Sequence, residues 1–469
     1  MVSSTMSARD ASARRRTGST LPVYSGPFGY QQAERLLWRA GFGPRNADEV
    51  QQLAAKGLRG AVDSLLDPPK LQLSGPDPTD GEGRPIFPGD AWGHDHVWWL
   101  DRMVRTDQPL VERMTLVWHD WFATSNGGTQ ANLNLKQNSL LRRNALGSFR
   151  TLFTEITRDP AMLLWLSGSS NNQWAVNENY AREMMELFSL GAHSDAYSEK
   201  DIREMARALT GWVNDWSDGQ GAHNFRYKKA FHDPHVKKVF GRKGRYDWRD
   251  AVTLCLQHPK HPRFLVTKLW GYFIADPPNA VTRLQLERLY RASNFAVRPL
   301  LRAILTHPQF YEGARMVKPP VVFQAGMLRA LGQPIRDDGW SWLGHIAGQQ
   351  LFLPPNVAGW DDTRWLDTGT FRGRFSNIAA ALEDLTLSSK WEDLPPVAEA
   401  DPAAIVQRAR TMVGSPTLSA ATEQALTAFA ADAIGRLADK EKWMKRSYPV
   451  LAENAVRQLI LISPDYQLC

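Results

Sequence analysis

Hydrophobic and polar positions along this chain follow the repeat of amphipathic helices almost from end to end. Two candidate capping boxes, Asn46-x-x-Glu49 and Ser198-x-x-Asp201, each precede an amphipathic run. The pattern predicts helices near residues 30–40, 47–55, 58–66, 95–106, 109–122, 133–156, 160–167, 177–190, 199–210, 248–257, 262–274, 281–292, 297–306, 318–331, 340–350, 374–386, 403–413, 419–438 and 449–462.

Alternating patterns typical of β-strands are nearly absent. Residues 223–231 and 236–240 are the two candidates, so the sequence predicts at most one short β-hairpin. Stretches rich in proline and glycine at 67–91, 214–222 and 352–374 predict long loops, which in compact proteins often carry function. The predicted fold class is therefore all-α, a large multi-helix single body with long loops.

Changes in composition divide the chain into three parts. The composition of residues 1–25 predicts a disordered, basic N-terminal segment, and the helical pattern of residues 26–389 predicts the main helical domain. A looser segment at 390–402 begins a C-terminal helical part, residues 390–469, which we expect to pack on the main domain.

The predicted helix at 177–190 carries several charges between two apolar runs. Glu178, Arg182 and Glu186 share one ridge because residues four apart lie on the same helix face, and Glu183 projects from another side. Buried charges are costly unless they have partners. Because apolar side chains such as Tyr180, Met184 and Phe188 flank the ridge, we expect this helix to be central. We therefore also expect Arg182 to form an ion pair with a glutamate.

Two interpretations of this helix stay open. In the first, the ridge is an internal set of ion pairs that fixes helix packing. In the second, Glu178 or Glu183 acts as a general acid or base or as a metal ligand, and Arg182 orients an anionic or hydroxyl-rich substrate. Neighbouring carboxylates support such chemistry because burial can drive their pKa values apart.

Composition narrows the class of protein. The net charge is +7, of which residues 1–25 carry +3, and no basic stripe is present, so nucleic-acid binding is not predicted. The two cysteines cannot build a disulfide framework or a thiolate metal site. No apolar run is long enough to span a membrane, and no export signal follows the arginines at 14–16, which predicts a cytoplasmic protein.

Several motifs in order resemble the bacterial domain-of-unknown-function 1800 family. They cover about residues 30–468 and comprise Arg39–Gly43, Trp118–Ser125, Asn177–Leu190, Ala206–Trp212, Phe231–Asp233, Lys268–Trp270, Lys318–Pro320, Pro354–Trp360 and Ser463–Tyr466. The resemblance implies export and a sulfatase-like partner protein, but no established activity. Trp121 departs from the family pattern, which commonly has a second histidine there.

Two histidines and three tryptophans complete the set of candidate site residues. His119 follows Trp118 on an apolar helix, where it is either a hydrogen-bonded core residue or a ligand or base. His232 precedes Asp233, which either forms a turn or holds the imidazole as a base or ligand. The tryptophans, which suit either a sugar-binding wall or a plain core, are Trp118, Trp212 and Trp360.

These residues support two functional hypotheses. The first is an enzyme with a buried carboxylate–histidine site formed by His119, Glu178, Glu183 and His232, which acts on a polar or glycan-like substrate by hydrolysis or metal-assisted chemistry. A divalent metal in that site would be held by imidazole and carboxylate ligands. The second is a non-catalytic helical scaffold that binds a partner protein or a glycan through its long loops.

Overall fold

Side-chain caps set where several helices begin. In the computed structural model, which describes residues 21–192, 194–390, 401–436 and 442–469, Asn46 accepts a hydrogen bond from the Glu49 amide at 3.0 Å. Ser198 and Asp201 cap each other's backbone amides in a reciprocal box. The capping motifs therefore act as predicted. Residues 1–20 of the predicted basic N-terminal segment lie outside the described residues.

Helices make up most of the described chain, and the all-α class is confirmed. The first half contains α1 (Tyr30–Arg39), α2 (Ala47–Ala55), α3 (Gly57–Leu66), α4 (His94–Arg105), α5 (Pro109–Trp121), α6 (Ala131–Arg143), α7 (Phe149–Thr157), α8 (Pro160–Trp165), α9 (Asn179–Met185) and α10 (Glu199–Ala208). The second half contains α11 (Trp248–Gln257), α12 (His261–Gly271), α13 (Ala280–Ala292), α14 (Val297–Leu305), α15 (Pro308–Glu312), α16 (Pro320–Leu331), α17 (Trp340–Ile346), α18 (Thr368–Glu383), α19 (Pro402–Met412), α20 (Ala420–Gly435), α21 (Lys442–Ile462) and α22 (Pro464–Gln467).

Two short hairpins form between α10 and α11, where one was predicted. Strand β1 (Trp212–Ser217) pairs with β2 (Gly221–Tyr227), and β3 (Lys237–Val239) pairs with β4 (Arg242–Gly244). Both pairs are antiparallel. The expectation of at most one hairpin is wrong, because each of the two candidate segments pairs with its own chain neighbour across a tight turn.

The predicted helix 133–156 is two helices, α6 and α7. The chain between them pairs its backbone with the segment before α14: the Phe149 amide donates to Phe295 O, and the Val297 amide donates to Gly147 O, each at 2.9 Å. Tertiary pairing of these backbone groups therefore overrides the local helical pattern at residues 144–148.

Two hydrophobic clusters form the interior, and α5 lies between them. Met114, Trp118 and Trp121 belong to the first cluster, whereas Leu116 belongs to the second. Val456 of the C-terminal helices also belongs to the second cluster, so those helices share a core with α5. The division at 389/390 stays a prediction. Within the described ranges, no helix is long and apolar enough to cross a membrane.

Candidate active site

The charged helix forms an ion-pair network at the solvent side. Arg182 Nη2 lies 2.8 Å from Glu199 Oε2 and 3.7 Å from Glu178 Oε2, and its Nη1 lies 3.4 Å from Glu186 Oε1. About a third of the Arg182 side chain is exposed (34%). The opposite face, which includes Tyr180, packs in the core. Arg182 thus pairs with glutamates as predicted, but at the edge of the protein rather than inside it.

Glu183 lies on a different face from this network and is half-buried. Burial raises its pKa, and the negative charge of Glu186 raises it further. A carboxyl group in such surroundings is a weaker acid than an exposed glutamate.

His119 is enclosed by aromatic rings. The ring centroids of Trp99, Phe352 and Trp360 lie 5.3, 5.5 and 5.4 Å from that of the imidazole. Its Nε2 is buried without a hydrogen-bond partner among the described residues. Loss of hydration lowers the pKa of His119 to about 3, so the ring is neutral at ordinary pH.

His232 lies beside Thr210 at the start of the loop before β3. Its Nδ1 is 3.0 Å from Thr210 O and 3.1 Å from Thr210 Oγ1. Asp233 is buried and bonds to Arg207 at 2.7 Å. Burial opposes ionisation of Asp233, but hydrogen bonds from Arg207 and His235 outweigh it and lower its pKa to about 2. Asp233 is therefore a fixed carboxylate that organises this loop.

The three candidate tryptophans have different surroundings. Trp118 is fully buried and donates from Nε1 to Ala145 O at 3.0 Å. Trp212 packs against Tyr227, with ring centroids 5.5 Å apart. Trp360 lines a cavity.

In the part of the chain that the structure describes, the contacts of the four predicted catalytic residues do not connect them to one another. Among the described residues, no hydrogen bond or ion pair joins any two of His119, Glu178, Glu183 and His232, and no group of three or more His, Cys, Asp or Glu side chains is arranged to hold a metal ion. Their convergence in one site stays a prediction without support from these contacts.

A cavity of about 310 Å³ lies beside Asp120, the residue that follows His119. One face of α5 forms a wall of it, because Arg113, Leu116, Val117 and Asp120 recur at spacings of three and four. The other lining residues come from α1, the end of α12, the segment before α16, the loops around residues 349 and 360, and Cys469; they include Lys268, Tyr272, Met316, Trp360 and Trp365.

Asp120 is held firmly at this wall. The Tyr272 hydroxyl donates to its Oδ2 at 2.6 Å, and the Trp360 amide donates to its Oδ1 at 2.9 Å. Gly359 has φ +92°, and a Cβ at that position would lie 2.2 Å from Asp120 Oδ1. A glycine is therefore needed for the backbone to approach the carboxylate this closely.

Burial moves the pKa values of this carboxyl group and of a nearby lysine in opposite directions. Loss of hydration raises the pKa of Asp120, although the bonds from Tyr272 and Trp360 oppose that rise. Loss of hydration lowers the pKa of Lys268 to about 8, and the charge of Asp120 limits that fall. The pKa of Tyr272 is raised well above 10 by burial and by Asp120, so its hydroxyl stays a donor.

The end of the charged helix positions Lys268. After α9 the chain continues as a π-helical turn, Glu186–Leu190, of a kind often found at functional sites. Backbone carbonyls of this turn accept hydrogen bonds from other helices: Leu187 O from Lys268 Nζ at 3.3 Å, and Phe188 O from Trp121 Nε1 at 3.2 Å. The Lys268 ammonium also lies 4.4 Å above the Trp121 ring.

The sequence did not identify Asp120, Lys268 or Gly359 as candidate site residues, although residues close to them in sequence belong to the predicted motifs. Asp120 lies next to His119, Lys268 opens the Lys268–Trp270 motif, and Gly359 precedes Trp360. The available signal was the pair of opposite charges, Arg113 and Asp120, seven residues apart on one face of α5 with the apolar Leu116 and Val117 between them.

The structure shows a mostly helical protein with a partly enclosed cavity that is lined by Asp120 and Lys268. The chain belongs to the family described as Protein of unknown function (DUF1800), which matches residues 35–468. No curated protein matches the chain, and no solved structure does.

Proposed function

We propose that this protein is a hydrolase that binds a small, ring-bearing polar substrate in the Asp120 cavity. The observation that carries the proposal is the shared cavity of Asp120 and Lys268, whose pKa values are shifted in opposite directions. Environments that shift two titratable groups in this way are typical of acid–base catalysis. The aromatic walls formed by Trp360 and Trp365 suit a sugar or another ring.

The roles follow from the surroundings of the two groups. The ionised form of Asp120 accepts a proton from a water molecule, and the resulting hydroxide attacks the carbon, phosphorus or sulfur atom of the ester or glycosidic bond. Lys268, with a pKa of about 8, is protonated at neutral pH and donates a proton to the departing oxygen as its bond to that atom breaks. Tyr272 keeps the carboxylate oriented through its 2.6 Å hydrogen bond.

The test uses chromogenic substrates and single-site variants. Purified protein is incubated with p-nitrophenyl acetate, β-glucoside, phosphate and sulfate, and release of p-nitrophenol is followed. We expect Asp120→Asn and Lys268→Met to lose about 10²-fold or more of the activity, which is the range that a general acid or base contributes. Asp218→Asn, an exposed carboxylate in the β1–β2 turn, is the matched control. Wild-type rates in Asp120→Asn, or no turnover by the wild-type protein, would contradict the proposal.

Exposed aromatic side chains favour a binding scaffold as the second candidate function. Trp92, Trp174 and Trp216 are 68%, 70% and 69% exposed, and exposed apolar side chains are a feature of interaction surfaces. Binding to an array of immobilised glycans that survives Asp120→Asn but is lost in Trp174→Ala would support the scaffold over the hydrolase.

A further inference from the structure

Among the described residues, every buried arginine except Arg113 donates at least one terminal guanidinium nitrogen to a protein oxygen. Arg39 donates its terminal nitrogens to four carbonyl oxygens, at 2.7 to 3.2 Å. Arg329 Nη1 is shared among three carbonyl oxygens, and Arg457 pairs with Glu453 at 3.0 Å. Arg113 is as deeply buried, at 6% exposure, and donates only from Nε, to Arg39 O at 3.3 Å.

The terminal nitrogens of Arg113 have no protein acceptor among the described residues, and the side chain lines the Asp120 cavity. The Asp120 carboxylate is bonded to Tyr272 and Trp360, and no ion pair of 4.0 Å or less joins it to Arg113. The negative charges of Asp120 and Cys469, which line the same cavity, favour the Arg113 cation without a direct hydrogen bond to its terminal nitrogens. A buried guanidinium group whose terminal N–H donors have no acceptor is costly to the folded protein. Desolvation lowers the Arg113 pKa to about 10, which still leaves the group charged at neutral pH.

We propose that Arg113 is the anion-binding residue of this cavity, and that the ligand carries an oxyanion such as a carboxylate group beside its ring. The planar guanidinium offers two terminal nitrogens, which match the two oxygens of a carboxylate. Lys268 adds a second positive charge to the same cavity. The inference rests on the proposed function in that it takes this cavity as the substrate site, but anion binding is measurable without turnover.

The experiment compares a charged probe with its neutral isostere on the full chain. Benzoate and benzamide are titrated into the protein by calorimetry. We expect benzoate to bind about tenfold or more tightly than benzamide, because only benzoate forms charge-assisted hydrogen bonds with Arg113. Equal affinities for the two compounds, or no binding of benzoate, would overturn the inference. This comparison depends on no substitution, so it holds even if a variant fails to fold.

Variants then assign the effect to Arg113. Arg113→Gln should lose about tenfold or more in benzoate affinity, and Arg113→Lys should keep part of it, whereas Arg182→Gln, on the solvent side, should not change it. Benzoate affinity unchanged in a folded Arg113→Gln would overturn the inference.

Asp120→Asn separates this inference from the proposed function. The variant should lose hydrolysis but bind benzoate at least as well as the wild-type protein, because it removes a negative charge from the cavity. Benzoate binding without hydrolysis in the wild-type protein supports the anion site and contradicts the hydrolase. Hydrolysis without benzoate binding in the wild-type protein supports the hydrolase and contradicts the anion site.

Discussion

The hydroxyl of Tyr272 donates a 2.6 Å hydrogen bond to Asp120 Oδ2 and so joins the ends of α12 and α5 at the cavity wall. Because the bond is made to the ionised carboxylate, it lowers the pKa of Asp120 against the larger effect of burial. The bond thereby fixes the direction of the oxygen that would act as a base and favours its ionised form.

Tyr272→Phe removes this donor and keeps the ring. We expect the pKa of Asp120 to rise, so that the acidic limb of the pH–rate profile moves to higher pH. The profile for the p-nitrophenyl substrate that the wild-type protein turns over fastest measures this shift. An unmoved acidic limb would show that Tyr272 does not act on the ionisation of the catalytic group.

Lys268 should react with acylating reagents at unusually low pH. Its pKa is lowered to about 8 by burial, so half of it is the nucleophilic free amine near that pH, well below the ordinary lysine value of about 10.4. It also lines a second cavity, together with Arg263 and Phe264, which gives a reagent a second approach. Competitive labelling with acetic anhydride, read out by mass spectrometry across pH 6–11, should give a midpoint near 8.

The exposed Lys200 provides the internal reference in the same digest. If both lysines label with the same midpoint, Lys268 is more hydrated than the structure indicates, and it loses its assigned role as a general acid near neutral pH.

Gly359→Ala should destabilise the protein or displace Asp120. The added Cβ would lie 2.2 Å from Asp120 Oδ1, and the residue has φ +92°. Gly219→Ala is the matched control, because Gly219 has φ +79° and no atom lies within 4 Å of the added Cβ. This control measures the cost of a positive φ for alanine without a steric clash. We expect Gly359→Ala to cost about 1–3 kcal/mol more than Gly219→Ala in urea unfolding. Equal costs would mean that the loop does not press against the carboxylate.

The all-α fold was predictable because helix caps and amphipathic repeats are local signals. The capping box of Ser198 and Asp201 forms as the spacing indicates. The break between α6 and α7 was not predictable, because it depends on backbone pairing with a segment about 150 residues later, such as Phe149 with Phe295.

The candidate site was predicted only in part. The charged helix drew attention because Glu178, Arg182 and Glu186 share a ridge, but spacing does not tell which face of a helix meets solvent. The cavity residues Asp120 and Lys268 come from helices far apart in sequence, and their pKa shifts arise from burial that only the folded chain creates.

Two charged clusters should differ sharply in their contribution to stability. Glu112 is 1% exposed and binds Arg142 at 2.7 Å and the Trp99 indole at 3.1 Å, with Arg102 as a further partner. Glu112→Gln removes the buried carboxylate that pairs with two partly buried arginines and should cost about 3–5 kcal/mol. Arg182→Ala, in the solvent-side network, should cost about 1 kcal/mol or less. Urea unfolding of both variants measures the contrast, and a large loss in Arg182→Ala would place that network in the interior.

His119→Phe should make the protein more resistant to acid. The folded-state pKa of His119 is about 3, whereas an unperturbed histidine titrates near 6.5, so between these values the unfolded chain binds more protons. Stability is therefore lost as the pH falls from about 6.5 towards 3. Phenylalanine keeps the packing against Trp99, Phe352 and Trp360 and breaks no hydrogen bond at Nε2, which has no partner among the described residues.

The measurement is the urea midpoint of both proteins at pH 7 and pH 4.5. The wild-type protein should lose more stability than His119→Phe between these two pH values, by up to about 1.4 kcal/mol for each pKa unit of the shift that is titrated. Other buried histidines, such as His96 and His261, lose stability in the same direction in both proteins, so they cancel in the comparison. Hydrolysis should persist in His119→Phe. Its loss in a folded variant would instead support the predicted role of His119 as a base or ligand.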